Sequence, residues 1–170
     1  MTRSNIRYNY VIGDVQGCFE ALKALLKRIQ FDPEQDFIWF AGDLVARGEN
    51  SVGALRFIKK LVERNAAATV LGNHDLTLLA CARGLKELKE KDNTRDVIDA
   101  IDSDELIDWL RKQPLCLFPN QQTILTHAGI PCIWSAEQTA ALAKEIEAVI
   151  GHDDFAVVDA FLADMYGKRS

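Results

Sequence analysis

The first half of the chain alternates short apolar runs with amphipathic ones. Tyr8 to Ile12 is a β-rich run closed by Gly13-Asp14. Leu22, Leu25, Leu26 and Ile29 then recur at three-and-four spacing, which predicts a helix with one apolar face. Phe37 to Phe40 repeats the strand signal and ends at Gly42-Asp43. Ser51 is placed to cap the next helix, whose face carries Leu55, Ile58 and Val62. Thr69 to Leu71 predicts a third strand, ending at Gly72-Asn73. This βαβαβ order predicts an α/β fold, a parallel sheet with helices packed against it.

The second half is more helical. Asp102 and Glu105 have capping-box spacing ahead of Leu106, Trp109 and Leu110, and Pro114 stops that helix. Leu115 to Phe118 and Thr123 to Thr126 predict two strands, joined as a hairpin through Pro119-Asn120 and ending at His127. Ser135 and Gln138 repeat the capping-box spacing before a helix reaching Ile150. A last helix is expected from about Asp153 to Met165, and Gly167-Lys168-Arg169-Ser170 follows without a closing strand signal. No repeat or linker divides the chain, so residues 1–170 are expected to form a single domain.

Composition narrows the function classes. Hydrophobic residues at 48% and charged residues at 26% are ordinary for a globular protein, and no apolar run reaches membrane-spanning length. The opening residues form no signal-peptide core, so the cytoplasm is the expected location and no membrane partner is expected. Cys18, Cys81, Cys116 and Cys132 lack zinc or redox spacing and are expected to be reduced, mostly buried thiols. A net charge of -5 argues against nonspecific nucleic-acid binding but not against a phosphate ester, because metal ions supply positive charge locally.

Four strand ends carry polar clusters: Asp14 and Gln16; Asp43 and Arg47; Asn73, His74 and Asp75; and His127. Ligands of open α/β sheets bind beyond the carboxyl ends of the strands, so these clusters are expected to converge. Carboxylates, amide oxygens and imidazole suit a pair of divalent metals, with Asp43 on the middle strand in sequence placed to bridge them. Two adjacent ions clamp phosphoryl oxygens, and the planar Arg47 suits a phosphate. Any one Gly-Asp is usually only a turn; the joint pattern points to a binuclear phosphoesterase.

Gly13-Asp14-Val15-Gln16-Gly17, Gly42-Asp43-Leu44-Val45-Ala46-Arg47-Gly48, Gly72-Asn73-His74-Asp75 and His127-Ala128-Gly129 resemble the successive motifs of the phosphoprotein-phosphatase-type metallophosphoesterases. Leu44-Val45-Ala46-Arg47, the segment Trp109 to Leu115, and His127-Ala128-Gly129-Ile130-Pro131 leading to Trp134 are most similar to the bacterial symmetrical diadenosine tetraphosphatases. The resemblance runs from about Tyr8 to Gly167. It implies a metallophosphoesterase (calcineurin-like) core with an incomplete second sheet, in a domain that lacks the family's C-terminal part. It implies two divalent ions, manganese first, with cobalt and iron(II) as alternatives. Asp14 and Gln16 would hold the first metal, Asn73 and His127 the second, and Asp43 would bridge. His74 would be the general acid, and Arg47 would hold a substrate phosphate. The implied reaction is hydrolysis of diadenosine tetraphosphate and related dinucleoside polyphosphates to two ADP, with tetraphosphate-capped RNA ends as a second substrate class. A phosphoprotein phosphatase and a truncated, non-catalytic metal- or nucleotide-binding domain are the competing readings.

Three departures from the family pattern matter. Gln16 replaces a histidine, and an amide oxygen is the weaker donor. Ala46 replaces the aspartate that orients the catalytic histidine of protein phosphatases, which disfavours a serine alkoxide leaving group and tolerates ADP. A further metal-binding histidine lies downstream in the family, beyond the end of this chain. His152, beside Gly151, is read as a solvated helix-start residue rather than its replacement. The chain as it stands is therefore expected to be a poor catalyst, with an uncovered sheet that favours a dimer. The mixed-charge stretch from Arg83 to Arg95 reads as a solvated segment, with a lid carrying Lys86, Lys89 and Lys91 as the competing reading.

Overall fold

The computed structural model describes residues 6–166, so the Gly167 to Ser170 stretch lies outside the described residues. Strands β1 (Asn9–Ile12), β2 (Phe37–Phe40) and β3 (Ala67–Thr69) alternate with helices α1 (Phe19–Arg28) and α2 (Ser51–Glu63). The three strands form a parallel sheet in the order β1-β2-β3, with Asn9 opposite Phe37 and Ile38 opposite Ala67. β2 is central because it is the most apolar: Ile38 and Phe40 are wholly buried, each stabilising by about 1.5–3 kcal/mol. β1 is an edge strand and leaves Val11 exposed. α1 buries Leu22 and Leu26, and α2 buries Ala54, Leu55, Ile58 and Leu61, which is the helical repeat of the sequence.

After β3 come α3 (Asn73–Ala82), α4 (Arg95–Ile98) and α5 (Ser103–Arg111), then the hairpin β4 (Cys116–Asn120) and β5 (Thr123–Thr126), then α6 (Ala136–Ile150) and α7 (Phe155–Met165). The hairpin shares no ladder with the first sheet. It is tied to it by the Leu71 N–H, which donates to the Pro114 carbonyl at 2.8 Å.

Several expectations need correction. The third strand ends at Thr69, two residues before the predicted end. Asn50, not Ser51, caps α2: its Oδ1 accepts from the Gly53 N–H at 2.7 Å. The Asp102–Glu105 box does not form, because Arg56 takes the Asp102 carboxylate and Lys59 pairs with Glu105. The Ser135–Gln138 box does form. β4 runs through Pro119-Asn120, and Gln121-Gln122 make the turn; the ladder is irregular between Leu117 and Asn120, where Pro119 has no N–H to give. All four cysteines are free, but three are half-buried and Cys132 is exposed, so they are not the buried thiols expected. His152 is exposed, and its Nδ1 accepts from the Asp154 N–H as α7 begins.

At the amino end of the sheet, the wholly buried Asp36 receives Arg7 Nε at 2.9 Å, Arg7 Nη2 at 2.7 Å and the Asp32 N–H at 2.9 Å. Hydrogen bonding to Arg7, ahead of the opposing effect of burial, holds its carboxyl below the ordinary 3.8. The unfolded chain therefore binds the proton first as pH falls. The contribution is complete above pH 3.8 and is lost as pH falls through the lower folded value. Asp36→Asn is expected to cost roughly 1–3 kcal/mol in urea unfolding at neutral pH and to remove this acid dependence; an unchanged acid slope would show that Asp36 does not carry it.

Candidate metal centre

The ends of β1, β2 and β5 deliver Asp14, Asp43 and His127 to one place, with one ligand atom of each within 4.8 Å of the others. Asn73, the first residue of α3, joins them through Oδ1, 3.0 Å from His127 Nε2. The tautomer of His127 follows from its other nitrogen. Nδ1 lies 2.9 Å from the Ala41 carbonyl, which only accepts, so Nδ1 carries a proton, and in the neutral imidazole Nε2 is then a bare lone pair. That lone pair faces Asn73 Oδ1 and, at 3.6 Å, Asp43 Oδ1. In that neutral form, with the Asn73 amide oxygen turned toward it, acceptors converge here with no proton between them. A cation satisfies such a set, and imidazole, carboxylate and amide oxygen together suit a divalent metal. The residues present therefore fit a metal ion.

Asp43 is buried, with a left-handed φ of 51°. Its Oδ1 accepts from the His74 N–H at 2.8 Å, and its carbonyl accepts from the Val15 and Gln16 N–H groups. The turn needs Gly72, because a Cβ there would lie 2.1 Å from Asp43 Oδ1 and 2.3 Å from Asp43 N. Gly13 is different: a Cβ there meets nothing within 4 Å, so its place is not fixed by protein packing.

Asp75 was grouped with this cluster by sequence, without a role. It is wholly buried and is not one of the clustered ligand groups. Its Oδ1 accepts from the Leu44 N–H at 2.9 Å and the Val45 N–H at 3.4 Å, and its Oδ2 from the Gly72 N–H at 2.9 Å. Burial pushes its carboxyl up to about 7, and the charge of Asp43 adds to this; the three N–H donors pull the other way. The available signal was an acid at the third position of a helix, where it reaches back to the first free N–H groups.

The remaining predicted residues lie around the cluster in different ways. Gln16, with φ 47°, turns its Nε2 toward Asp14 Oδ2 at 3.4 Å; amide oxygen and nitrogen are assigned from such contacts, and ligation requires the oxygen there instead. The His74 ring is half-buried and has no hydrogen-bond partner among the described residues. Arg47 is exposed on the same turn as Asp43. Its N–H donates to the Asp92 carbonyl at 2.9 Å, and its Nε lies 4.0 Å from the Asp92 carboxylate. The charged stretch is thus not simply solvated: its end is fastened to the Arg47 turn. Ser51 reinforces the fastening, its hydroxyl accepting from the Ala46 N–H and donating to the Asn93 carbonyl. Beside Asn73 and His127 an apolar groove of about 400 Å³ opens between α3, the hairpin and α6, lined by Leu76, Leu115, Ile130, Trp134 and Leu142.

A family model of the calcineurin-like phosphoesterases matches residues 10–168. The chain belongs to this family. It is 50% identical over 161 residues to a protein of Marinomonas sp. named symmetrical bis(5'-nucleosyl)-tetraphosphatase, covering 94% of this chain and 57% of that one. A protein of the same name from Actinobacillus succinogenes is 48% identical over the same shares. The chain thus spans little more than half the length of the curated relatives it matches. The crystal structure of a cold-active protein-tyrosine phosphatase from a psychrophilic Shewanella superposes with a TM-score of 0.63 at 19% identity, over 94% of this chain and 56% of that one, which is a likeness of fold.

Asp43 is the buried acid of the cluster, with its Oδ1 3.6 Å from His127 Nε2 and a ligand atom close to Asp14, so Asp43→Asn is expected to remove charge from all bound metal at once. Isothermal titration with manganese should show loss of every site, not of one. Retention of the wild-type stoichiometry would refute the shared-ligand geometry.

Proposed function

We propose that the phosphoesterase hydrolyses diadenosine tetraphosphate and related dinucleoside polyphosphates to ADP, with two divalent ions held by Asp14, Gln16, Asp43, Asn73 and His127. When bound, such ions supply a nucleophile from water and offset charge on the phosphoryl oxygens. The guanidinium of Arg47, exposed on the turn that follows Asp43, takes a substrate phosphate in bidentate fashion, and the His74 imidazole gives a proton to the leaving group.

The observation that carries the choice of substrate is the lone ring of His74. No carboxylate orients it, and Ala46, on the turn after Asp43, has none to offer. An unassisted imidazole is a poor proton donor to a serine alkoxide, which is strongly basic. ADP leaves as a stabilised anion and needs little help. The names of the half-identical relatives support the same choice. The reading extends to manganese as the metal, the cytoplasm as the location, and tetraphosphate-capped RNA ends as substrates that present the same anhydride. It extends also to a second copy of the chain covering the open sheet.

The test is a parallel assay of the manganese-loaded chain on diadenosine tetraphosphate and a phosphoserine peptide. ADP as the sole nucleotide product supports the reading. AMP with ATP contradicts symmetrical cleavage, peptide turnover alone returns the chain to the protein phosphatases, and turnover of neither makes it a binding domain. Ala46→Asp is expected to raise peptide turnover more than dinucleotide turnover. Ala46 has φ 81°, which aspartate tolerates better than alanine, but it is buried, so circular dichroism must first show the variant folded. Equal gains on both substrates would sink the leaving-group argument.

A further inference from the structure

We propose that Asp75 is the positioning residue of the metal centre: it sets the bridging carboxylate of Asp43 and the amide of Asn73 by clamping the backbone on which both stand. The proposal rests on the reading of these two residues as metal ligands.

The argument starts from what the Asp75 carboxylate touches. Both of its oxygens are used by backbone N–H groups, those of Leu44 and Val45 on one side and Gly72 on the other. Asp75 is wholly buried and is not in the ligand cluster. Leu44 follows Asp43, so its N–H belongs to the peptide that also carries the Asp43 carbonyl. Fixing that peptide plane fixes the rotation from which the Asp43 side chain departs. Gly72 precedes Asn73, so the second oxygen fixes the start of α3 in the same way. One side chain thereby sets the spacing between two proposed ligands, one on the turn after β2 and one at the start of α3.

The chemistry of the clamp calls for a carboxylate. Only an acceptor-only group takes N–H donors on both of its ends; an amide would set its own N–H₂ against one of them. A stability role alone would be badly served by it. Asp75 has no cationic partner among the described residues, whereas the other wholly buried carboxylate, Asp36, is paired with Arg7. Burying an unpaired carboxylate to satisfy three N–H groups is costly, and such a group persists where geometry depends on it.

Asp36 stands at the opposite end of β2 and provides the control. Wild type, Asp75→Asn and Asp36→Asn are titrated with manganese, following free ion by electron paramagnetic resonance, at a temperature where circular dichroism shows each to be folded. Both variants are expected to melt lower than wild type. Asp75→Asn is expected to weaken manganese binding by about tenfold or more, the usual effect of losing a group that orients a ligand. Asp36→Asn is expected to leave the affinity unchanged. If Asp75→Asn does not fold, Asp75→Ser keeps one small acceptor and makes the same measurement. Wild-type affinity in a folded Asp75 variant overturns the proposal. So does equal weakening by Asp36→Asn, which would reduce the effect to stability. No manganese binding by wild type is a different result: it removes the metal reading itself, and this proposal with it.

Discussion

Two carboxylates cross between the end of β2 and the start of α3, and the site depends on that exchange. Asp43 accepts from the His74 N–H, while Asp75 accepts from the Leu44 and Gly72 N–H groups. Each segment thus lends its neighbour a side chain and receives one back. Two buried acids near one another repel, and the rise of Asp75 to about 7 registers both burial and the charge of Asp43. The exchange is tolerated because both acids lie at the amino end of α3, where free N–H groups and the helix dipole favour negative charge. Gly72 lets the two segments approach so closely that any side chain there would occupy the place of the Asp43 carboxylate.

Backbone strain gathers around the same exchange. Gln16, Asp43, Ala46 and Arg47 all have left-handed φ values, 47°, 51°, 81° and 66°, at a cost of order 1 kcal/mol or more each. Gln30 and Asn65 share this conformation but simply close α1 and α2. At the site, each strained residue is held from outside its own turn. Gln16 N–H donates to the Asp43 carbonyl, Arg47 N–H to the Asp92 carbonyl, and Ala46 N–H to the Ser51 hydroxyl. The reversal of the backbone is what keeps Asp14, Asp43 and Arg47 near one edge rather than sending successive side chains to opposite faces, as an extended strand would.

The βαβαβ order, the parallel sheet and the gathering of Asp14, Asp43, Asn73 and His127 were legible in the sequence, whereas α3 and α4 were not read from it. Each rests on local period, or on the rule that ligands collect beyond strand ends. What was hidden depends on competition from afar. Ser51 has the chemistry of a helix cap, but a carbonyl 42 residues away and the strained Ala46 N–H claim its hydroxyl, and Asn50 caps instead. Asp102 and Glu105 have capping-box spacing, but cations on α2 hold both carboxylates. The fastening of Asp92 and Asn93 to the Arg47 turn likewise has no local signature, because its partners are brought together only by the packed fold.

The tautomer of His127 is fixed in the same long-range way, and it shows where the two halves of the chain are joined. Its Nδ1–H donates to the Ala41 carbonyl, 86 residues earlier and just past the end of β2. The hairpin and the parallel sheet share no strand pairing, so this bond and the one from Leu71 to Pro114 bridge two separate ladders. The same bond that docks β5 also turns the bare Nε2 toward Asp43 and Asn73. Docking of the hairpin and assembly of the ligand cluster are therefore one event. A cation that binds Asp43 and His127 together stabilises only the docked arrangement, so by linkage it strengthens the joint between the sheets by as much as the docked state exceeds the undocked one in affinity for it.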